Sequence, residues 1–213
     1  MTTPARLERE KLCDLMLEQG PEASTLCGDW TTRDLAAHLV VRERRPDAAL
    51  GIVLSPFADH GEKVRRHEAE RPYAELVERV RSGPGLLSPM RPAAVERLVN
   101  TIEFFVHHED VRRGSPGWEP RRLDDDLEHD LQRTFARSAR MLARKAPCGI
   151  ELRPAGHDAI MAKRAQDGEP SVTVSGPLGE VVLFMYGRQD QAVVDLDGPA
   201  DSVAATRNAS FGI

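Results

Sequence analysis

Glu103 and His107 stand four residues apart in the stretch 100–113, NTIEFFVHHEDVRR. A carboxylate and an imidazole one helical turn apart can share a proton or a metal ion. On a helical wheel with Glu103 at zero, His107 falls near ~40°, Asp110 near ~340° and Asn100 near ~60°. Val99, Ile102 and Val106 flank this polar stripe on one side, and Phe104 and Val111 on the other. A stripe hemmed in by apolar residues is expected to face inward. Arg97, Thr101, His108 and Arg112 form a separate face that is expected to meet solvent, so His107 is the candidate ligand and His108 the control.

Buried carboxylate and imidazole groups need partners. His38 is a third candidate donor, on a helix with a well-marked start. Thr31 can cap it, with Asp34 at the third helical position, and Trp30 with Leu35 can form a hydrophobic staple. Two imidazoles and one carboxylate with an open position form the donor set of catalytic zinc or of a facial-triad iron site. A hydrogen-bonded Glu–His pair without metal satisfies the same spacing. Asp110, one turn past His107, can orient that imidazole or act on a substrate. Arg42 and Arg45, one and two turns beyond His38, can reach an anionic substrate or the carboxylate of a thiol cofactor, or simply form a solvated basic end.

The elements that must position these groups follow from periodicity. Residues 4–19 read as a helix with an apolar stripe of Leu7, Leu12, Leu15 and Met16, stopped by Gly20-Pro21. Cys13 lies near that stripe and reads as a small buried hydrophobe. Residues 51–72 read as a charged connection or short helical piece, with His60 and His67 solvated. Tyr73, Leu76, Val77 and Val80 mark a short amphipathic helix over 73–81. Pro92 suits the first turn of the long helix carrying Glu103 and His107, and Gly114 its end. Leu127, Leu131, Phe135, Ala139 and Leu142 mark another helix over 123–145, and Asp124, Asp125 and Asp126 at its start complement the helix dipole. From Gly149 the pattern changes. IELRPAG, PSVTVSGP and QAVVDLDG read as strands, with an apolar helix over 178–186 between the last two. The tail TRNASFGI carries no signal for an element. The fold class is therefore α+β: a helical domain over 1–146 and a small αβ domain over 149–213.

A net charge of −5 over 213 residues excludes a general nucleic-acid surface. Three cysteines without CxxC spacing exclude a disulfide framework and point to a reducing cytoplasm. No apolar run approaches the ~20 residues that span a membrane, and the N-terminus lacks the apolar core of a signal peptide.

GDWTTRDLAAHLVVRERRPDAA, followed at some distance by NTIEFFVHHEDVRRG, resembles the mycothiol-dependent maleylpyruvate isomerase family of actinobacteria, part of the wider DinB-like metal-binding superfamily. The pattern is nearest to an actinobacterial subgroup described only as metal-binding. PSVTVSGPLGEVVLFMYGRQDQAVVDLDG is similar to that family's C-terminal αβ domain, where a G-P-x-x-E, apolar run, G-R pattern recurs. The resemblance covers nearly the whole chain. It implies a DinB-like four-helix bundle with a metal, usually zinc, held by His38 in D-L-x-x-H-L and by Glu103 and His107 in E-x-x-x-H-x-x-D. Asp110 is the acidic residue that follows. It also implies a functionally important arginine in the C-terminal domain, for which Arg188 in the G-R pattern is the candidate and Arg207 the rival. The chain departs from the isomerases in reading HHED where they have one histidine, and residues 51–90 match no substrate pocket. Superfamily membership therefore carries over further than the isomerase reaction.

The activity implied is a metal-dependent isomerisation or S-transfer in which mycothiol adds to a small electrophile. His38, Glu103 and His107 would hold the metal, Asp110 would assist proton transfer, and Arg42 would contact the thiol cofactor. The partners implied are a small-molecule substrate and a low-molecular-weight thiol, with no nucleic acid or membrane, and bundles of this type can pair into homodimers. The alternative is a non-catalytic metal- or ligand-binding protein with a stress or regulatory role.

Overall fold

The computed structural model describes residues 3–48, 58–85 and 93–211, with the backbone alone over 93–99. Pro92 and the side chains of Arg97 and Val99, which entered the sequence reading, lie outside the described residues. The chain forms two compact units, Met1–Trp118 and Glu119–Ile213.

The N-terminal unit is helical: α1 (Pro4–Gln19), α2 (Thr32–Arg44), α3 (Ala58–Ala69), α4 (Tyr73–Arg81) and α5 (Ala93–Arg112). Thr3 caps α1 through Oγ1, which accepts the Arg6 N–H at 3.3 Å, and Gly20 ends the helix at φ +83°. α1 packs along α5 and against α4, while α2 packs on α3 and α4. Leu12, Met16, Leu35, Leu39, Leu76, Val77, Val80 and Phe104 meet in the core between them. Cys13 is buried there, as its position suggested, and burial pushes its thiol up to about 12. His60 and His67 are exposed, as expected, on α3.

Two expectations for this unit are corrected. Leu7 is 40% exposed, whereas Glu8 and Arg9 are each 1% exposed. α1 is covered by both α4 and α5, so its buried face is wider than an apolar stripe and takes in charged residues whose ends find partners. The face of α5 assigned to solvent is also packed. Thr101 and His108 are buried, and His108 Nδ1 lies 3.0 Å from Glu8 Oε2 of α1.

The C-terminal unit joins α6 (Asp125–Leu142) and a 3-10 turn (Ala143–Lys145) to β1 (Gly149–Pro154), β2 (Ile160–Lys163), β3 (Ser171–Gly176), α7 (Leu178–Met185), β4 (Asp195–Asp197) and α8 (Ala200–Arg207). The four-stranded sheet has the order β2-β1-β3-β4. β1 and β3 run parallel, pairing Ile150 with Val172 and Leu152 with Val174; the outer pairs are antiparallel. α6 buries its predicted stripe, from Leu127 to Leu142, against α7 and β2. That packing makes α6 part of the sheet unit, so the division falls at Trp118/Glu119 and not near residues 146–149. β2 was not legible as a strand. The tail is also more structured than its sequence suggested: Thr206 is buried on α8, and Phe211 packs on Phe184 with ring centroids 5.7 Å apart. The fold class is α+β, as expected. Among the described residues no helix is long and apolar enough to cross a membrane.

Candidate metal centre

α2 presents His38 and α5 presents Glu103, His107 and Asp110. The start of α2 is held by the expected capping box. Thr31 Oγ1 accepts the Asp34 N–H at 3.4 Å, and Asp34 Oδ2 accepts the Thr31 N–H at 3.1 Å. Burial alone would raise the Asp34 carboxyl, but hydrogen bonds from Arg65 and Thr31 outweigh it and hold the carboxyl below its usual range. Trp30, just before the cap, packs against the apolar core and sets its indole 5.2 Å from the His38 ring.

His107 Nε2 lies 3.3 Å from Glu103 Oε1, and His38 Nε2 lies 3.7 Å from the same oxygen. The three donor atoms are all within 4.8 Å of one another. Their side chains are 12–24% exposed, so the set is open to one side. Burial opposes ionisation of Glu103, but His107, His38 and Arg42 together hold its carboxyl well below the usual range. Burial likewise opposes charging of His107, yet hydrogen bonding to Asp110, Cys27 and Glu103 raises it well above an ordinary imidazole. His38 shifts the other way, lowered by burial and by the neighbouring His107 and Arg42 charges against the pull of Glu103.

Two imidazole nitrogens and one carboxylate oxygen at these separations suit a first-row divalent cation, zinc foremost. The outer nitrogen supports the same reading: His107 Nδ1 lies 2.9 Å from Asp110 Oδ2, the partner that fixes a ligating imidazole's tautomer. The residues therefore fit the ion that the family resemblance implies.

Glu103 is also the end of a buried polar chain through three helices. Arg9 of α1 grips Glu43 of α2 with two bonds of 2.6 and 2.7 Å. Glu43 Oε1 accepts from Asn100 Nδ2 at 3.0 Å, and Asn100 Oδ1 accepts from Arg42 Nη1 at 2.7 Å. Arg42 Nε then lies 3.0 Å from Glu103 Oε1. A carboxylate has lone pairs for both a guanidinium and a cation, so Arg42 orients Glu103 without excluding a metal.

A cavity of about 310 Å³ opens beside His38, lined by Trp30, Val41, Ala58, Gly61, Glu62 and Arg65. Arg65 lies over the Trp30 ring at 4.8 Å and is held by Asp34 at 2.6 Å and Glu62 at 2.8 Å. α3 thus supplies a pocket wall in the segment where the sequence offered none.

Of the residues singled out from sequence, the structure brings His38, Glu103, His107, Asp110 and Arg42 together. Arg188 belongs to the C-terminal unit, where its guanidinium donates to the Tyr186 carbonyl. Arg45 pairs with Asp47 at 2.9 Å, and Arg207 is exposed on α8. Sequence reasoning missed Cys27, Trp30 and Arg65 at the site, and the Arg9–Glu43–Asn100 chain behind it. For Cys27 and Trp30 a signal existed: they sit in the loop just before the capped helix that carries His38.

No family model and no curated protein matches the sequence. A solved structure, that of the mycothiol-dependent maleylpyruvate isomerase, matches over 91% of this chain and 90% of its own, with a TM-score of 0.56 and 18% identity. The likeness is one of fold: this chain is built like that isomerase.

Proposed function

We propose that this protein holds a divalent metal, zinc foremost, on His38, Glu103 and His107, and uses it with a low-molecular-weight thiol, mycothiol, whose thiolate adds to a small electrophile, giving isomerisation or S-transfer. The observation that carries this reading is the convergence of three donor atoms, one of them on His38, which also lines a cavity. When bound, the ion supplies a Lewis-acidic position at which a thiol favours its ionised, nucleophilic form. Trp30 and Val41 offer that cavity apolar surface for the thiol or its acceptor. Asp110 keeps His107 oriented and can hold its proton at Nδ1. Arg42 orients Glu103 and is also the candidate to contact the thiol cofactor. Arg188 is the candidate to steady a substrate carboxylate.

A second reading, a metal- or ligand-binding protein without turnover, is favoured by one observation: Arg42 and Arg65, the cations beside the donor set and cavity, both engage carboxylates of the protein itself. Metal analysis of protein purified without an affinity His-tag comes first. Metal-loaded protein is then mixed with mycothiol and a panel of electrophiles. Turnover supports the enzyme; thermal stabilisation by the thiol without turnover of any electrophile supports the binding protein.

A further inference from the structure

The far side of His107 carries a group that the three-donor set does not use. Asp110 is fully buried, and its Oδ2 lies 2.9 Å from His107 Nδ1 and 3.0 Å from Cys27 Sγ. Cys27 Sγ is 3.8 Å from Nδ1, so the carboxylate oxygen is the shared partner of thiol and imidazole. One carboxylate oxygen can accept from both.

The position of Cys27 is fixed by its backbone. The Cys27 N–H donates to Thr25 Oγ1 at 3.1 Å, and that hydroxyl donates to the Trp30 carbonyl at 2.8 Å. The Leu26 N–H donates to the Asp110 carbonyl at 3.1 Å, and the Trp30 N–H donates to the Cys27 carbonyl at 3.2 Å. The loop is therefore tied to α5 at one end and to the cap of α2 at the other. Gly114 lies so close to the Ser24 carbonyl that a Cβ there would collide with it, so a glycine lets the end of α5 meet this loop.

We propose that Cys27 is a positioning residue of the metal centre. Its thiol and the His107 N–H share Asp110 Oδ2, and this pins the imidazole with Nδ1 toward Asp110 and Nε2 toward Glu103 and His38. The inference rests on the reading that those three residues hold the ion. Cys13 and Cys148 are buried elsewhere, so the role belongs to one thiol.

The test compares Cys27→Ala, which removes the donor, with Cys27→Ser, which keeps one. Zinc affinity is measured by chelator competition, cobalt substitution reports ligand geometry, and the melting temperature of the metal-free proteins isolates a purely structural role. Cys27→Ala is expected to weaken zinc binding roughly tenfold, the lower end for loss of an outer partner, and to alter the cobalt d–d bands. Cys27→Ser restores most of the affinity, and both metal-free variants melt near the wild type. Adding Asp110→Asn to Cys27→Ala costs less than Asp110→Asn alone, because the two groups act through one contact. Unchanged zinc affinity in Cys27→Ala overturns the proposal, as does a Cys27→Ser variant that loses as much as the alanine. A sulfur-to-cobalt charge-transfer band that vanishes in Cys27→Ala also overturns it, by making the thiol a ligand. If the wild type binds no zinc, the metal reading itself falls and takes this proposal with it; zinc binding indifferent to Cys27 sinks the proposal alone.

Discussion

In the N-terminal unit Arg9, Glu43, Asn100 and Asp110 are buried and joined to one another or to the candidate ligands by hydrogen bonds. In the C-terminal unit the corresponding interior is mostly apolar, built on Ile150, Leu152, Val172, Val174 and α7, with Asp130, Glu180 and Thr206 as its buried polar side chains among the described residues. Glu180 accepts the Val193 N–H at 2.9 Å, tying down a loop. Burying ions costs free energy that an apolar core avoids, and replacing a buried pair with well-packed hydrophobes is often neutral or stabilising. The helical unit is thus built at an energetic disadvantage for the sake of geometry, and its chain of buried ions ends on a candidate ligand. The sheet unit shows how the same protein packs where no such geometry is needed.

Arg9→Met offers the sharpest break of this contrast. It leaves Glu43 buried without its bidentate partner, and loss of one member of a buried pair costs about 3–5 kcal/mol. Phe184→Ala in the other unit should cost a similar ~3–5 kcal/mol through lost packing. Denaturant melts should look alike, but zinc competition should not: Arg9→Met weakens binding by loosening Arg42 and Glu103, whereas Phe184→Ala leaves it unchanged. The double variant Arg9→Met/Glu43→Leu should recover stability without recovering zinc affinity, because Asn100 has lost its acceptor. Full recovery of both would show that the polar chain serves neither purpose.

His107→Ala removes a proposed ligand, so zinc affinity should fall by more than the roughly 10–100-fold that loss of an outer partner costs. His108→Ala is the control on the next residue. It leaves Glu8 buried beside α5, so it should lower stability, yet zinc affinity should change little. If His108→Ala lost the metal and His107→Ala kept it, the assignment of the two histidines would be reversed.

The pH dependence follows from the opposed shifts at the site. The His107 pKa is raised, so its contribution to stability is complete below its unfolded value near 6.5 and is lost as pH rises through its raised value. Glu103 is lowered, so its contribution is complete above about 4.5 and is lost as pH falls through its depressed value. His38 is lowered as well, and its neutral burial becomes destabilising as pH falls below 6.5. On the proposed ligand set, a cation would have to displace the proton on His107. Zinc affinity should therefore rise with pH from 6.5 upward, by up to about tenfold per pH unit while one proton is released. A flat profile across that window would mean that His107 does not bear the displaced proton.

What could be read from sequence divides along the same line. The apolar stripe of α6, the α4 stripe and the capping box of α2 were legible because each is set by residues within one element. The polar face of α5 misled because both sides of that helix are packed, so Thr101 and His108 are buried among partners and not solvated. Arg9 and Glu43 stand in highly charged stretches of sequence, and only the covering of α1 and α2 by other helices makes them interior. Cys27 is 80 residues from His107 along the chain, a separation that no local pattern bridges. β2 escaped notice because its four residues are too few to show alternation.

The mildest test sets one helix cap against another. Thr31 caps α2 in the site-bearing unit, and Asp124 caps α6 in the sheet unit by accepting the Leu127 N–H at 3.0 Å. Thr31→Ala and Asp124→Ala should each cost about 1 kcal/mol of stability, the usual loss for such a cap. Their effects on the metal should differ. His38 lies two turns past Thr31 on α2, and Trp30, which packs on the His38 ring, adjoins the cap directly. Fraying that end frees the indole and the imidazole together, so Thr31→Ala should weaken zinc binding measurably while Asp124→Ala leaves it alone. Equal zinc affinities in the two variants would mean that His38 is held by the body of α2 and its core contacts, and that the capped start of the helix contributes to stability only.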